Sequence, residues 1–147
     1  MNWHWKKFPD LKPLELYQII SLRERVFVVE QNCVYLDCDG LDVGAWHLFG
    51  YQDEELVAYL RFLAPGVKYP EASIGRVVTA PEGRKTGFGK ELIGQSLKRI
   101  QETFGPIPLR ISAQAYLEKF YSRFGFVREG MEYLEDGIPH IEMSKQA

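Results

Sequence analysis

Apolar residues in the first half of the chain change from helical to strand spacing. Over residues 13–28 they recur every three or four positions behind a proline, which predicts a first helix. Two apolar runs, 46–51 and 56–63, flank the polar tetrad 52–55, and this arrangement predicts two antiparallel strands joined as a hairpin. A short strand is expected before the helix, at 3–6.

The second half alternates strands and helices. The polar stretch 30–45 should be irregular with at most a short helix, whereas a β-branched strand is predicted over 73–79 and an amphipathic helix over 87–104. Further elements are predicted as a strand at 109–112, a helix at 115–124, and strands at 126–128 and 140–143. Together they predict one α/β domain over residues 1–147, an α+β arrangement with helices on both faces of a mixed sheet.

Composition and charge restrict where a ligand can bind. The chain has 147 residues and a formal net charge of −2, which gives no general attraction to nucleic acid or to anionic membranes, so an anion site must be local. We find neither a secretory signal nor an apolar run of membrane-spanning length, and we therefore expect a cytoplasmic protein. Cys33 and Cys38 could form a disulfide or half of a zinc site, but without export signals we expect free thiols.

A basic, glycine-containing turn lies between a predicted strand and a predicted helix. Backbone N–H groups in the first turn of a helix lack internal partners and favour anions. Gly87 and Gly89 would let a pyrophosphate approach those groups, and Arg84, Lys85 and Lys90 add positive charge. The pattern is typical of a phosphate site.

Two common phosphate loops do not fit this turn. A P-loop needs glycine where Arg84 stands and a hydroxyl residue where Glu91 stands. The dinucleotide fingerprint, started at Gly87, has Leu92 in place of its third glycine. Both are therefore excluded.

The turn resembles the cofactor signature of the GCN5-related N-acetyltransferase (GNAT) superfamily, Arg/Gln-x-x-Gly-x-Gly/Ala. Residues 84–89 read Arg-Lys-Thr-Gly-Phe-Gly and satisfy every fixed position, although many members have glycine where Lys85 stands. Residues 121–126 resemble the family's Tyr-x-x-x-Gly-Phe segment. Residues 22–31 and 137–141 are similar to the small ElaA-type branch.

This resemblance implies a fold, a reaction and a co-substrate. The implied fold is a mixed, mostly antiparallel sheet with a V-shaped split between 74–79 and 109–112. Acetyl coenzyme A would lie in the split, and a small-molecule or peptide amine would attack it directly in a ternary complex. A homodimer is compatible with the resemblance. The implied cofactor-binding residues are Val77, Val78, Thr79, Arg84, Lys85, Thr86, Gly87, Phe88, Gly89 and Lys90.

Tyr121 is the candidate general acid. A phenol can donate a proton to the departing thiolate, and family members have a tyrosine at this place in the motif. A tyrosine on an amphipathic helix beside Phe120 and Phe124 can instead be a core residue with a satisfied hydroxyl.

The base that deprotonates the amine has three candidates. Glu30, His47 and His140 each stand near the end of a predicted element, where a pocket can open. Each also has a structural interpretation, as a hydrogen-bonded histidine or an arginine-paired glutamate. The sequence leaves the choice open.

Three aspartates cluster in the irregular stretch. Asp37, Asp39 and Asp42 lack the spacing and the later glutamate of an EF-hand, so we expect turn-forming residues and no metal site. If they line the acceptor mouth, they favour a cationic amine.

The alternative to an enzyme is a non-catalytic acyl-CoA binding module with the same turn, and Tyr121 argues against it.

Overall fold

The computed structural model describes residues 1–147 and contains seven strands and three α-helices. The strands are β1 (Asn2–Lys7), β2 (Trp46–Gln52), β3 (Glu55–Leu63), β4 (Ser73–Thr79), β5 (Leu109–Gln114), β6 (Val127–Glu135) and β7 (Ile138–Lys145). The helices are α1 (Pro13–Arg23), α2 (Phe88–Phe104) and α3 (Glu118–Ser122). No helix combines the length and the hydrophobicity needed to cross a membrane.

The strands form two sheets that touch at one place. The order is β1-β2-β3-β4 in the first sheet and β5-β7-β6 in the second, and every ladder is antiparallel. A single parallel bridge joins Ala72 to Leu109, where the Arg110 N–H donates to the Ala72 carbonyl over 2.9 Å. The predicted mixed α/β fold with a split between its central strands is confirmed.

Helices cover both faces of the first sheet. Alternate residues of a strand point to opposite faces, and β3 is buried on both. Leu60 and Phe62 pack with Leu92 and Ile93 of α2 in one core cluster. Tyr59 packs in a second cluster with Ile19 and Leu22 of α1 and with Val26 just beyond its end. The hydrophobic spacing that predicted the helices therefore corresponds to the two cores.

Several element boundaries differ from the prediction. Helix α1 continues beyond Arg23 as π-helical turns over Glu24–Glu30 rather than ending near residue 28, and no short helix forms in 31–45. The strands predicted at 126–128 and 140–143 are parts of the longer hairpin β6–β7. Strand β6 is an exposed sheet edge whose register shifts between Glu129 and Tyr133, so it lacks the apolar alternation that marks a strand.

The irregular segment 31–45 is attached to the sheet by buried ion pairs. The fully buried Arg23 donates from Nε to Asp37 and from Nη1 to Asp42, each over 2.7 Å. Arg61 of β3 donates to Asp39 over 2.8 Å and to Asp42 over 3.1 Å. These buried ion pairs hold the segment in one conformation, because it is costly to leave a buried charge without its partner.

Arg76 of β4 completes this network. Its Nε lies 2.9 Å from Asp37 Oδ1, a close charge pair whose geometry is not that of a hydrogen bond, and its Nη2 donates to the Asp37 carbonyl over 3.0 Å. Three arginines thus balance the three aspartates. Asp39 and Asp42 also form local turns, because Asp39 Oδ1 accepts from Leu41 N–H and the Asp42 carbonyl accepts from Ala45 N–H. The expectation of turn-forming aspartates therefore holds for these two residues, but it missed their arginine partners, which lie far away in sequence.

The network sets the ionisation of its aspartates. Burial by itself would raise the pKa of Asp42, but hydrogen bonds and charges from Arg23 and Arg61 outweigh burial and lower it. The same balance, with Arg61 as the main partner, lowers the pKa of Asp39. These carboxylates are therefore ionised at neutral pH and committed to arginines.

We predict that Asp42→Asn destabilises the protein strongly. The change removes one charge from a buried network and leaves Arg23 and Arg61 undercompensated, which should cost about 3 kcal/mol of unfolding free energy. Urea denaturation followed by circular dichroism measures this loss. Asp53→Asn, in the exposed β2–β3 turn, is the control and should change stability by less than about 0.5 kcal/mol. Equal effects of the two changes would contradict the structural role of the network.

Candidate active site

A cleft opens where β4 and β5 separate. It encloses a cavity of about 430 Å³, and its walls come from β4, β5, the π-helical turns, α3 and the tip of the β6–β7 hairpin. Polar residues from distant parts of the chain meet there, among them Glu30, Arg84, Tyr121, Glu135 and His140. The size suits part of a small-molecule ligand.

One wall of the cleft is an unpaired strand edge. Strand β4 pairs with β3 only, so the backbone N–H and C=O groups of its other edge face the cleft without ladder partners. A bulge interrupts this strand, because the register with β3 shifts between Tyr59 and Arg61. Arg76 at the bulge has a φ of 50°, a left-handed conformation that costs energy in a residue other than glycine. An extended ligand chain could pair with this edge.

The turn between β4 and α2 presents a row of free donors. The backbone N–H groups of residues 85–90 make no hydrogen bond within the protein, whereas Glu91 N–H donates to the Gly87 carbonyl over 3.0 Å. Gly87 caps α2 with a φ of 86°, and Lys85 has a φ of 69°. Glycine adopts such angles without strain, which gives a physical reason for the glycine that many GNAT members have in place of Lys85.

Arg84 and Glu30 meet beside this turn. Arg84 Nη2 lies 2.7 Å from Glu30 Oε1, and the two side chains are 40% and 39% exposed. Glu30 therefore lies in the cleft wall, but its carboxylate is engaged by the basic turn. A phosphate bound at the turn would compete with Glu30 for the guanidinium.

Tyr121 is buried and its hydroxyl faces the cleft. The residue is 5% exposed, lies on α3 and lines the cavity. Its hydroxyl has no hydrogen-bond partner in the protein. The enclosed side-chain polar atoms without a partner are Arg61 Nε and Arg76 Nε only, so the Tyr121 hydroxyl retains access to the cleft. Burial, with a smaller contribution from Tyr116, raises the pKa of Tyr121. The phenol is therefore protonated at neutral pH and free to donate to a ligand.

The two strand histidines have different surroundings. His47 is 1% exposed, lies outside the cavity wall, and uses both ring nitrogens: Nδ1 is 2.8 Å from Tyr59 Oη and Nε2 is 2.9 Å from the Asp42 carbonyl. Burial lowers its pKa. The prediction that His47 stands at a pocket was wrong, because β2 turns it into the α1 core.

His140, in contrast, lines the cleft. It is 8% exposed, its Nδ1 lies 2.7 Å from the Ile138 carbonyl, and its Nε2 lies 3.4 Å from Glu135 Oε2. Glu135 at the end of β6 was missed from the sequence because a glutamate before an Asp-Gly turn resembles any exposed turn residue. The register that places His140 opposite Tyr133 brings Glu135 within reach.

The comparisons with known proteins agree on one family. Residues 28–147 match the family described as an acetyltransferase (GNAT) domain. A UPF0039 protein of Synechocystis is 44% identical over 97% of this chain and 94% of its own length. The crystal structure of an acyl-CoA N-acyltransferase from Pseudomonas aeruginosa superposes with a TM-score of 0.93 and 41% identity, covering 99% of both chains.

The ElaA-type resemblance is also confirmed. The crystal structure of Escherichia coli ElaA has a TM-score of 0.92 and 37% identity to this chain, again over 99% of both. These similarities span both sheets and the cleft between them, so they are not confined to the short cofactor motif. The chain belongs to the GNAT acetyltransferase family, in the branch that includes ElaA.

Proposed function

We propose that the protein transfers an acetyl group from acetyl coenzyme A to an amine, by direct attack within a ternary complex. The observation that carries this proposal is a single cleft that combines an unpaired strand edge, a row of free N–H donors and an unpartnered tyrosine hydroxyl. The name of the Pseudomonas neighbour, an acyl-CoA N-acyltransferase, supports the same class of reaction.

The geometry of the cleft supports the proposed cofactor-binding residues. The N–H groups of residues 85–90 would hold the pyrophosphate, with positive charge from Arg84, Lys85 and Lys90. The backbone of Val77, Val78 and Thr79 would pair with the amides of the pantetheine arm as an added strand. The other residues of the turn shape it: Thr86 Oγ1 donates to the Gly83 carbonyl, and the buried Phe88 ring packs over Gly83.

Acetyl transfer needs a neutral amine, a polarised carbonyl and a proton for the leaving thiolate. The amine nitrogen forms a bond to the thioester carbon, and N–H groups at the β4 bulge stabilise the developing oxyanion. The carbon–sulfur bond then breaks, and Tyr121 donates its proton to the departing thiolate. Tyr121 suits this role because burial keeps it protonated.

Charge in the cleft wall favours a cationic amine. Asp37, Asp39 and Asp42 do not supply this preference, since three arginines neutralise them. Arg61 and Arg76 also line the wall, but aspartates behind it balance their charges. With Glu30 paired to Arg84, the charges left are the carboxylates of Glu135 and Asp136 and the ammonium of Lys68, an excess of one negative charge. A protonated amine is therefore attracted, whereas an acidic acceptor is repelled.

We predict that the purified protein releases coenzyme A thiol from acetyl coenzyme A only when an amine is added. Diamines and lysine peptides should react faster than glutamate or aspartate at equal concentration, because the charges of the wall that no neighbour balances, those of Glu135, Asp136 and Lys68, are negative in sum. A thiol-specific dye measures the release. Coenzyme A binding without amine-dependent release from a broad panel would identify an acyl-CoA binding module instead.

We predict that Gly89→Val weakens coenzyme A binding about 10–100-fold, the equivalent of losing one or two charge-assisted hydrogen bonds. A Cβ at Gly89 meets only the Phe120 ring, at 3.8 Å, so the fold tolerates the side chain, while the N–H donors become obstructed. Isothermal titration calorimetry gives the affinity. Gly94→Val, at an exposed site of the same helix with no atom within 4 Å, is the matched control and should bind normally. Normal binding by Gly89→Val would remove the turn from the cofactor site.

We predict that Tyr121→Phe lowers kcat about 100-fold with little change in the KM for acetyl coenzyme A, because general acids act mainly in the transition state. The hydroxyl has no partner in the protein, so its removal should leave the thermal midpoint nearly unchanged. Tyr17→Phe, on the exposed side of α1, is the control for both measurements. Unchanged turnover in Tyr121→Phe would return Tyr121 to a purely structural role.

A further inference from the structure

The β6–β7 hairpin presents a histidine and a carboxylate side by side in the cleft. His140 Nδ1 lies 2.7 Å from the Ile138 carbonyl oxygen, which can only accept a hydrogen bond, so Nδ1 carries a proton. In the neutral imidazole the lone pair is then on Nε2. That nitrogen lies 3.4 Å from Glu135 Oε2.

This arrangement is unsatisfied while His140 is neutral. A lone pair on Nε2 and an ionised carboxylate are both acceptors, so no hydrogen bond joins them. A proton on Nε2 converts the contact into a charge-assisted pair. His47 is the internal comparison, since its two nitrogens face a tyrosine hydroxyl and a carbonyl, which satisfy a neutral ring. His140, unlike His47, has a carboxylate beside one ring nitrogen.

Neighbouring groups hold the ring and set its electrostatics. His140 lies opposite Gln114 of β5 and opposite Tyr133 of β6, whose ring centroid is 6.2 Å away and whose hydroxyl bonds to Ser112. Other titratable groups near the pair include Asp136 at the hairpin tip, Glu142 on β7 and Tyr69 from the segment before β4. Arg110 is occupied by Glu71 and Glu142, at 3.1 and 2.9 Å. The ammonium of Lys68 and the thiol of Cys33 also line this cavity, so the pair faces charges of both signs.

The other two candidates for the base have competing partners. The nitrogens of His47 are both occupied in the α1 core, and Glu30 lies beside the phosphate-binding turn, where it pairs with Arg84 as long as no phosphate is bound. His140 and Glu135 line the same cavity as Tyr121 and form no hydrogen bond or ion pair with that turn. Glu135 is 44% exposed on its side chain, so it also connects the pair to solvent.

We propose that His140 Nε2 is the general base for the acceptor amine and that Glu135 is its positioning residue. This proposal rests on the acetyltransferase function proposed above. The acceptor ammonium gives one proton to Nε2, and the imidazolium pairs with Glu135 and passes that proton to solvent. The neutral amine attacks the thioester. It loses its second proton to water as the amide forms, and this proton replaces the one that Tyr121 gives to the thiolate. Overall, one proton is released per acetyl group transferred.

The first test replaces the base and keeps its structural hydrogen bond. In His140→Asn, the amide can still donate to the Ile138 carbonyl but cannot accept the proton. We predict that kcat/KM for the amine falls about 100-fold and no longer decreases at low pH, so that the acidic limb of its pH profile disappears. The affinity for coenzyme A, measured by calorimetry, should be unchanged. A folded His140→Asn protein with normal turnover and an unchanged acidic limb would overturn the proposal. Loss of coenzyme A binding would assign His140 to the fold instead.

The second test removes the positioning charge and retains His140. Because an adjacent carboxylate stabilises a protonated ring, Glu135→Gln should move the low-pH fall of kcat/KM for the amine to lower pH. Glu132→Gln, an exposed glutamate of the same strand, is the matched control and should leave the limb in place. An unshifted limb in Glu135→Gln would exclude the pair.

A measurement without turnover separates this proposal from the proposed function. The NMR signals of the His140 ring protons, followed against pH in the wild type and in Glu135→Gln, show directly whether Glu135 acts on the ring. A difference between the two proteins with no amine acetylation by the wild type would retain the coupled pair and reject the acetyltransferase. Amine acetylation with identical titrations in the two proteins would retain the enzyme and reject the role of Glu135.

Discussion

The cleft exists because β4 and β5 do not pair with each other beyond a single parallel bridge. Two strands that touch at Ala72 and Leu109 and then separate leave backbone groups of both edges without ladder partners. Such groups are costly to bury unless something pairs with them, so this edge is stable only next to water or an extended ligand. Since the two sheets separate here, helices α2 and α3 and the β6–β7 hairpin can all contribute residues to one cavity.

The charge network keeps the other wall of this cavity in place. The segment 31–45 has no regular structure, and Arg23, Arg61 and Arg76 bind it from α1, β3 and β4. Arg76 is also the residue in the left-handed bulge of β4, so the same side chain joins the irregular segment to the strand edge of the cleft. A buried network of balanced charge contributes more to a defined conformation than to net stability. Here that conformation shapes the wall opposite β5.

The sequence predicted those features that local patterns encode. Helix α2, strands β2 to β4 and the turn 84–89 have their own periodicity or motif, and the fold followed from their order. Contacts between distant residues could not be read in this way. The partners of Arg23 are 14 and 19 residues away, and strand β6 is an exposed edge with charged residues in place of apolar alternation. Glu135 reaches His140 only through the register of that edge strand.

The contrast between the two histidines shows why residue type and position were insufficient. Both stand in strands, and both looked equally suited to acid–base chemistry in the sequence. On β2, His47 faces α1, and neutral partners on both nitrogens stabilise an uncharged ring. On β7, His140 faces the cleft with one nitrogen fixed by a carbonyl and the other next to a carboxylate. The two sheets thus give the two rings different partners, neutral groups for His47 and a carboxylate for His140, and residue type and strand position alone could not reveal this difference.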